Sequence, residues 1–210
     1  FFGTVIMFAV VFMSSFLIKN SSTPAVENTV EITNYEEPKS PNLLTNMTLF
    51  LPFVAFVFLH VGQWMYLLNM PLFVTGYLGE ADSAVGILAS LCAGLEVPLM
   101  IFMGYVASRV SSKTLLIIAG FIGSMYFLSI GIFESYTMML IGQLPLALFL
   151  AILLGLGISY FQDLLPQFPG YASTLFANAM IVGQLVGNLL GGIANDTLGV
   201  ENSFYISGAF

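Results

Sequence analysis

An all-α membrane protein is the fold class this sequence predicts, and three observations predict it. Of its 210 residues 58% are hydrophobic and only 7% charged, against about 25% charged in an ordinary soluble domain. Mean hydropathy is +0.96. The apolar residues also gather into runs of roughly 20, the length a helix needs to cross a bilayer, with short polar turns between them.

Taken in order, Phe1 to Ile18 is apolar, has no initiating Met and no basic leader, and reads as the end of a helix rather than a signal peptide. Residues 19–47 are rich in Asn, Thr, Ser, Glu and Pro without apolar periodicity, as in a flexible loop between bundles. Spans are then expected over residues 48–74, with Pro71 near the end, 83–106, 114–133, 136–160 and 171–193. A last apolar run, 203–210, covers about two turns. The expected architecture is therefore one helix, a long loop and a six-helix bundle from residue 48 to 210, with the chain cut inside a helix at each end.

The few charges orient the spans. Lys19 and Lys39 flank the long loop, while Arg109 and Lys113 fill the turn two crossings later. Alternation puts both on one side, cytoplasmic by the positive-inside rule. The opposite turns hold Glu80, Asp82, Glu134, Asp196 and Glu201 and no Lys or Arg. Four basic residues in all are too few to build a nucleic-acid-binding face. Cys92, the single cysteine, excludes an internal disulfide. Metal-ligand spacing, phosphate loops, nucleotide fingerprints and nucleophile elbows are all missing from the sequence, so neither a metal, a cofactor nor an enzyme is expected.

One residue stands out. Glu96 lies halfway along the otherwise apolar 83–106 span, where a charge costs roughly 2.5–3.5 kcal/mol on insertion scales. Pro98, two positions on, lacks an amide hydrogen and frees the carbonyl of Gly94. Such a carboxylate can bind a proton, since desolvation disfavours the ion, or a substrate hydroxyl; the structural alternative is satisfaction by a neighbouring helix. The 48–74 span adds His60, Gln63, Trp64 and Asn69. The first three share a face by the i, i+3, i+4 rule, whereas Asn69 falls about 180° from His60 on an ideal helix. Amides that pair with hydroxyls, beside an aromatic face for C–H surface, make Gln63, Asn69 and Trp64 candidate substrate-binding residues. His60 is either a proton relay or an interhelical hydrogen-bond partner. Gln143, Gln184 and Asn188 read as amides bridging helices, and Gly183, Gly187 and Gly191 as a small-residue ridge that brings another helix close.

The run from Gly104 to Leu116 resembles the GxxxDRxGRRxxL signature of the major facilitator superfamily, in its second-half copy. Gly104, Arg109, Lys113 and Leu116 match it, whereas Ser108, Ser111 and Ser112 depart from it. The segments Asn69 to Leu72, Ala93 to Pro98, Tyr160 to Pro166 and Ser173 to Asn178 resemble the bacterial sugar efflux transporters of that superfamily. The resemblance implies the C-terminal half of a twelve-helix transporter in a bacterial inner membrane, exporting sugars or glycosides against proton entry. It also implies a missing N-terminal half as partner and a substrate-facing Asn178.

Asp163 sits at a helix C-terminus, where its charge opposes the helix dipole. Arg109, with Lys113 in the same basic turn, is expected to latch to it on the cytoplasmic side, as the resemblance to the superfamily implies; the alternative is a solvated helix-end carboxylate. Two alternatives stay open: a multidrug or other small-solute exporter of the same fold, which the Phe and Met content would suit, and a non-transporting helical receptor or assembly partner.

Overall fold

A computed structural model describes residues 42–43 and 46–210. The helix expected over residues 1–18, and the 19–47 loop apart from Asn42, Leu43, Asn46 and Met47, lie outside the described residues. The rest is helical: α1 (Met47–Leu72), α2 (Asp82–Ala107), α3 (Ser112–Phe133), α4 (Tyr136–Ile141), α5 (Gln143–Leu164), α6 (Pro169–Leu198) and α7 (Val200–Ala209).

Local chemistry sets the boundaries. Asn46 caps α1, its Oδ1 accepting from the Thr48 amide at 3.1 Å, and Ser111 caps α3 by accepting from the Thr114 amide at 3.3 Å. Past Pro71 the backbone of α1 loosens into one π turn, Phe73–Tyr77, where the missing proline amide has already interrupted the ladder. Thr75 Oγ1 donates back to the Pro71 carbonyl at 2.9 Å. Gly79, at φ +70°, makes the turn into α2. α3 stops at Glu134, the one non-glycine with positive φ among the described residues (φ 43°).

Two spans differ most from the sequence reading. The span expected over residues 136–160 runs to Leu164 and is two helices broken at Gly142, where the Tyr126 ring of α3 occupies the space a side chain would need: a Cβ on Gly142 would lie 2.8 Å from Tyr126 Cδ2. α6 runs to Leu198, five residues beyond Ile193, and ends at Gly199 with φ 88°.

Counting α1 with its π turn, and α4 with α5, five segments among the described residues are long and apolar enough to cross a membrane. Their outward surface carries Ile87, Ile101, Phe102, Phe121, Leu185 and Leu189, a belt that water would penalise and acyl chains accept. The core between them is aromatic: Phe56 meets Phe161 edge-on at 5.1 Å between ring centres, and Phe73 meets Phe204 at 5.1 Å. α1 runs against α6, α2 against α5, and α3 against α5 and α7. At the acidic end, the Tyr77 hydroxyl donates to Glu134 Oε2 at 2.6 Å and Tyr205 donates to the Gly131 carbonyl at 2.7 Å. The exits of α1 and α3 and the entry of α7 are thus tied together there, as alternating crossings require.

Candidate functional site

α1 presents two surfaces that carry polar side chains, and the first is its contact with α6. Gly183, Gly187 and Gly191 lie on successive turns of α6 against it. A Cβ at Gly183 would meet His60 Cβ and come to 3.0 Å from the Val57 carbonyl; at Gly187 it would come to 2.7 Å from the Val61 carbonyl, and at Gly191 to 3.4 Å from Met65 Cα. The backbones therefore touch, as the small-residue ridge predicted.

His60 is completely buried in this seam, its ring 6.3 Å from Phe56 and 6.1 Å from Phe176. Its Nδ1 sits 2.8 Å from the Phe56 carbonyl. A carbonyl only accepts, so Nδ1 carries the hydrogen, and in the neutral ring Nε2 is a buried acceptor with no partner among the described residues. Trp64, half-buried, places its Cβ against Gly187. Asn69 is also fully buried: its Nδ2 donates to Ser203 Oγ of α7 at 2.9 Å and lies beside Gly191.

The second surface is a cavity of about 200 Å³ between α1, α2 and α5. Helical spacing builds each wall: Gln63, Tyr66, Leu67 and Met70 from α1, Ala89, Cys92, Ala93 and Glu96 from α2, Gln143, Leu146 and Leu150 from α5. Ala84, Leu88 and Cys92 are the buried stripe of α2, and Glu96 stands one turn beyond Cys92 on that line. The carboxylate is half-buried and, among the described residues, neither hydrogen-bonded nor ion-paired. Gln63 likewise makes no hydrogen bond there, and its Oε1 is buried.

Gln63 and Glu96 are therefore brought together; His60, Trp64 and Asn69 are not part of this cavity. The shared face expected for His60, Gln63 and Trp64 divides because Gln63 lies about 60° to one side of His60 and Trp64 about 40° to the other. Asn178 is exposed on α6 and lines neither this cavity nor the other one, a cleft of about 570 Å³ running from Leu51 to Phe210 past Lys113 and Tyr160.

The expected Arg109–Asp163 ion pair is not formed. Arg109 Nη2 donates to the Tyr105 hydroxyl at 2.8 Å and the guanidinium lies 5.2 Å over the same ring. Tyr105, four residues earlier in the last turn of α2, offers a partner that needs no approach of α5. Asp163 is exposed and Lys113 faces the large cleft. Gln184 and Asn188 form no interhelical hydrogen bond, and Asn188 is exposed. Gln143 does bridge helices, but to two tyrosines that hydropathy had hidden: its Nε2 donates to the Met139 carbonyl at 2.9 Å and to the Tyr126 hydroxyl at 3.3 Å, and Tyr126 Oη lies 3.2 Å from Tyr66 Oη.

A bundle of membrane-length helices around a small cavity that holds one unpaired carboxylate is the build of a multi-pass membrane protein. The family profile of the Major Facilitator Superfamily matches residues 52–210, and the chain belongs to that superfamily. It is similar to sugar efflux transporter A of Dickeya chrysanthemi, 33% identical over 169 residues that cover 80% of this chain and 43% of that protein. It is similar also to sugar efflux transporter C of Escherichia coli (strain K12), 29% identical over 199 residues, 95% of this chain and 50% of that protein. With sugar efflux transporter A of the same strain the identity is 34% over 140 residues, 67% and 36% of the two chains. The chain spans half or less of the length of each of these relatives.

Proposed function

We propose that the whole protein is a secondary transporter of a bacterial inner membrane that exports sugars or sugar-like glycosides in exchange for protons, and that this chain supplies one wall of its substrate site. The observation that carries the reading is the meeting of Gln63 and Glu96, both without partners, in one cavity. Its volume of about 200 Å³ falls short of the ~300–1,000 Å³ of complete ligand pockets, as half a site should. The relatives named as sugar efflux transporters supply the substrate class.

Coupling follows from the carboxylate. An ionised Glu96 only accepts, so a sugar hydroxyl can donate to it; a protonated Glu96 has surrendered that acceptor site. Proton and sugar therefore compete for the same oxygens, and each lowers the other's affinity by the same factor. Mutual exclusion of this kind is what exchange requires. Glu96 is assigned to both events and Gln63 to the hydroxyls. His60, Trp64, Asn69 and Asn178, away from the cavity, take no part in this mechanism, and neither does a latch between Arg109 or Lys113 and Asp163. The partner it does require is a second half of the same protein, closing the site from the other side.

The test is efflux of labelled lactose against its gradient, driven by a pH gradient, from vesicles bearing the full-length protein. Glu96→Gln should abolish uphill efflux while leaving the protein folded; uphill efflux undiminished in that variant would exclude the mechanism. A second reading, export of apolar cations, draws on Leu67, Met70, Leu146 and Leu150 in the lining. Efflux of a cationic dye but not of lactose would favour it.

A further inference from the structure

From the hydrogen-bond count around Tyr66 we infer that Tyr66 and Gln63 together read a single hydroxyl of the substrate, and that Tyr126 and Gln143 hold Tyr66 in position for it. The inference rests on the sugar reading above and adds to it the residues that choose the substrate.

The direction of the bonds comes first. Gln143 must present its amide nitrogen to the Met139 carbonyl, which can only accept, and the same nitrogen reaches the Tyr126 hydroxyl at 3.3 Å. Tyr126 Oη is therefore an acceptor from Gln143. It also meets Tyr66 Oη at 3.2 Å, and the two phenols have two hydrogens between them. One hydrogen fills the bond between the rings. The other has no acceptor among the described residues, whichever ring carries it.

Position decides where that second hydrogen is useful. Both phenols are buried, but only Tyr66 lines the cavity; Tyr126 is packed under Gly142, so a spare hydrogen on it stays unpaired, which is costly. Tyr66 and Gln63 both line the cavity, three residues apart on α1. If Tyr126 donates to Tyr66, the Tyr66 hydrogen is free to be used by whatever fills the cavity. Gln63 beside it has an amide with no partner and a buried Oε1.

A donor on Tyr66 and an acceptor on Gln63, not bonded to each other, are bridged by a group that accepts from one and donates to the other. A hydroxyl does both, and it pairs with the amide whichever way that amide is turned. A tertiary or quaternary ammonium cannot accept, and an apolar surface does neither. The pair thus favours polyhydroxylated ligands over the apolar cations that the leucines alone would admit. The break at Gly142 serves the same end: it admits the Tyr126 ring and sets Gln143 at the first turn of α5, beside both phenols.

The experiment measures binding of lactose and its monodeoxy analogues to the full-length protein in detergent by isothermal titration. For the wild type, one analogue should bind roughly three- to tenfold more weakly than lactose, the loss of one neutral hydrogen bond. In Tyr66→Phe, lactose should fall to the level of that analogue, and the analogue should bind as it does to the wild type. Tyr126→Phe should weaken lactose more than the same analogue. Where Tyr66→Phe does not yield folded protein, Gln63→Leu is read in the same way. Equal weakening of lactose and every analogue in these variants would mean a packing role and overturn the inference while leaving sugar export standing. No binding of any sugar by the wild type would overturn both.

Discussion

The two faces of α1 surround their polar side chains differently. Toward α6, His60 and Asn69 are fully buried among glycines that let the backbones touch, each with one short hydrogen bond and one buried polar atom, His60 Nε2 and Asn69 Oδ1, without a partner among the described residues. Toward α2 and α5, Gln63 and the facing Glu96 are left unpaired around open space. A polar residue in an apolar helix is therefore informative only together with the helix opposite. Small residues opposite it produce a contact, and a ring of alanines and leucines around it leaves a cavity.

Substitutions can break that contrast, and the largest effect is expected at the cavity. Glu96→Gln should eliminate proton-driven efflux with an unchanged melting temperature in detergent, because no partner of Glu96 is lost. A drop in melting temperature would place Glu96 among the contacts instead. Next comes Gly183→Ala, whose methyl meets His60 and the Val57 carbonyl; overpacking of this kind costs roughly 1–3 kcal/mol, visible as a lower melting temperature. Ser203→Ala leaves Asn69 Nδ2 buried without its acceptor, and should cost about 1–2 kcal/mol with little change in sugar affinity. Lost coupling in His60→Gln at an unchanged melting temperature would move proton exchange from the cavity into the seam. The smallest effect belongs to Gly192→Ala on the same helix, where nothing lies within 4 Å of the added methyl. It should be neutral or stabilising by up to about 1 kcal/mol, measured in the same melt.

Much of this was legible in the sequence, for identifiable reasons. Spans are set by hydropathy over about 20 residues, a signal too long to be lost to one substitution. Glu96 was visible because a carboxylate in an apolar helix has few ordinary explanations, and the glycine ridge because its spacing repeats every turn. What depends on a distant partner was hidden. Tyr66 and Tyr126 pass as apolar residues in a hydropathy profile, and they meet across a separation of 60 residues. Gly142 looks like any glycine in a span until the Tyr126 ring is placed beside it. Arg109 has two possible partners in the sequence, and the one four residues before it is the nearer. His60 and Gln63 differ by three positions, which helical spacing alone cannot divide between two neighbours.

The π turn and the glycine seam bear differently on motion. Where two backbones touch at three consecutive turns, neither rod can slide or tilt without dragging the other, so α1 and α6 are bound to travel as one spar. α2, by contrast, meets α1 only sparsely and has its main support in α5. Any breathing of the cavity is therefore left to the boundary between α1 and the α2–α5 pair, and the loosened coil after Pro71 gives the spar a place to flex at its acidic tip.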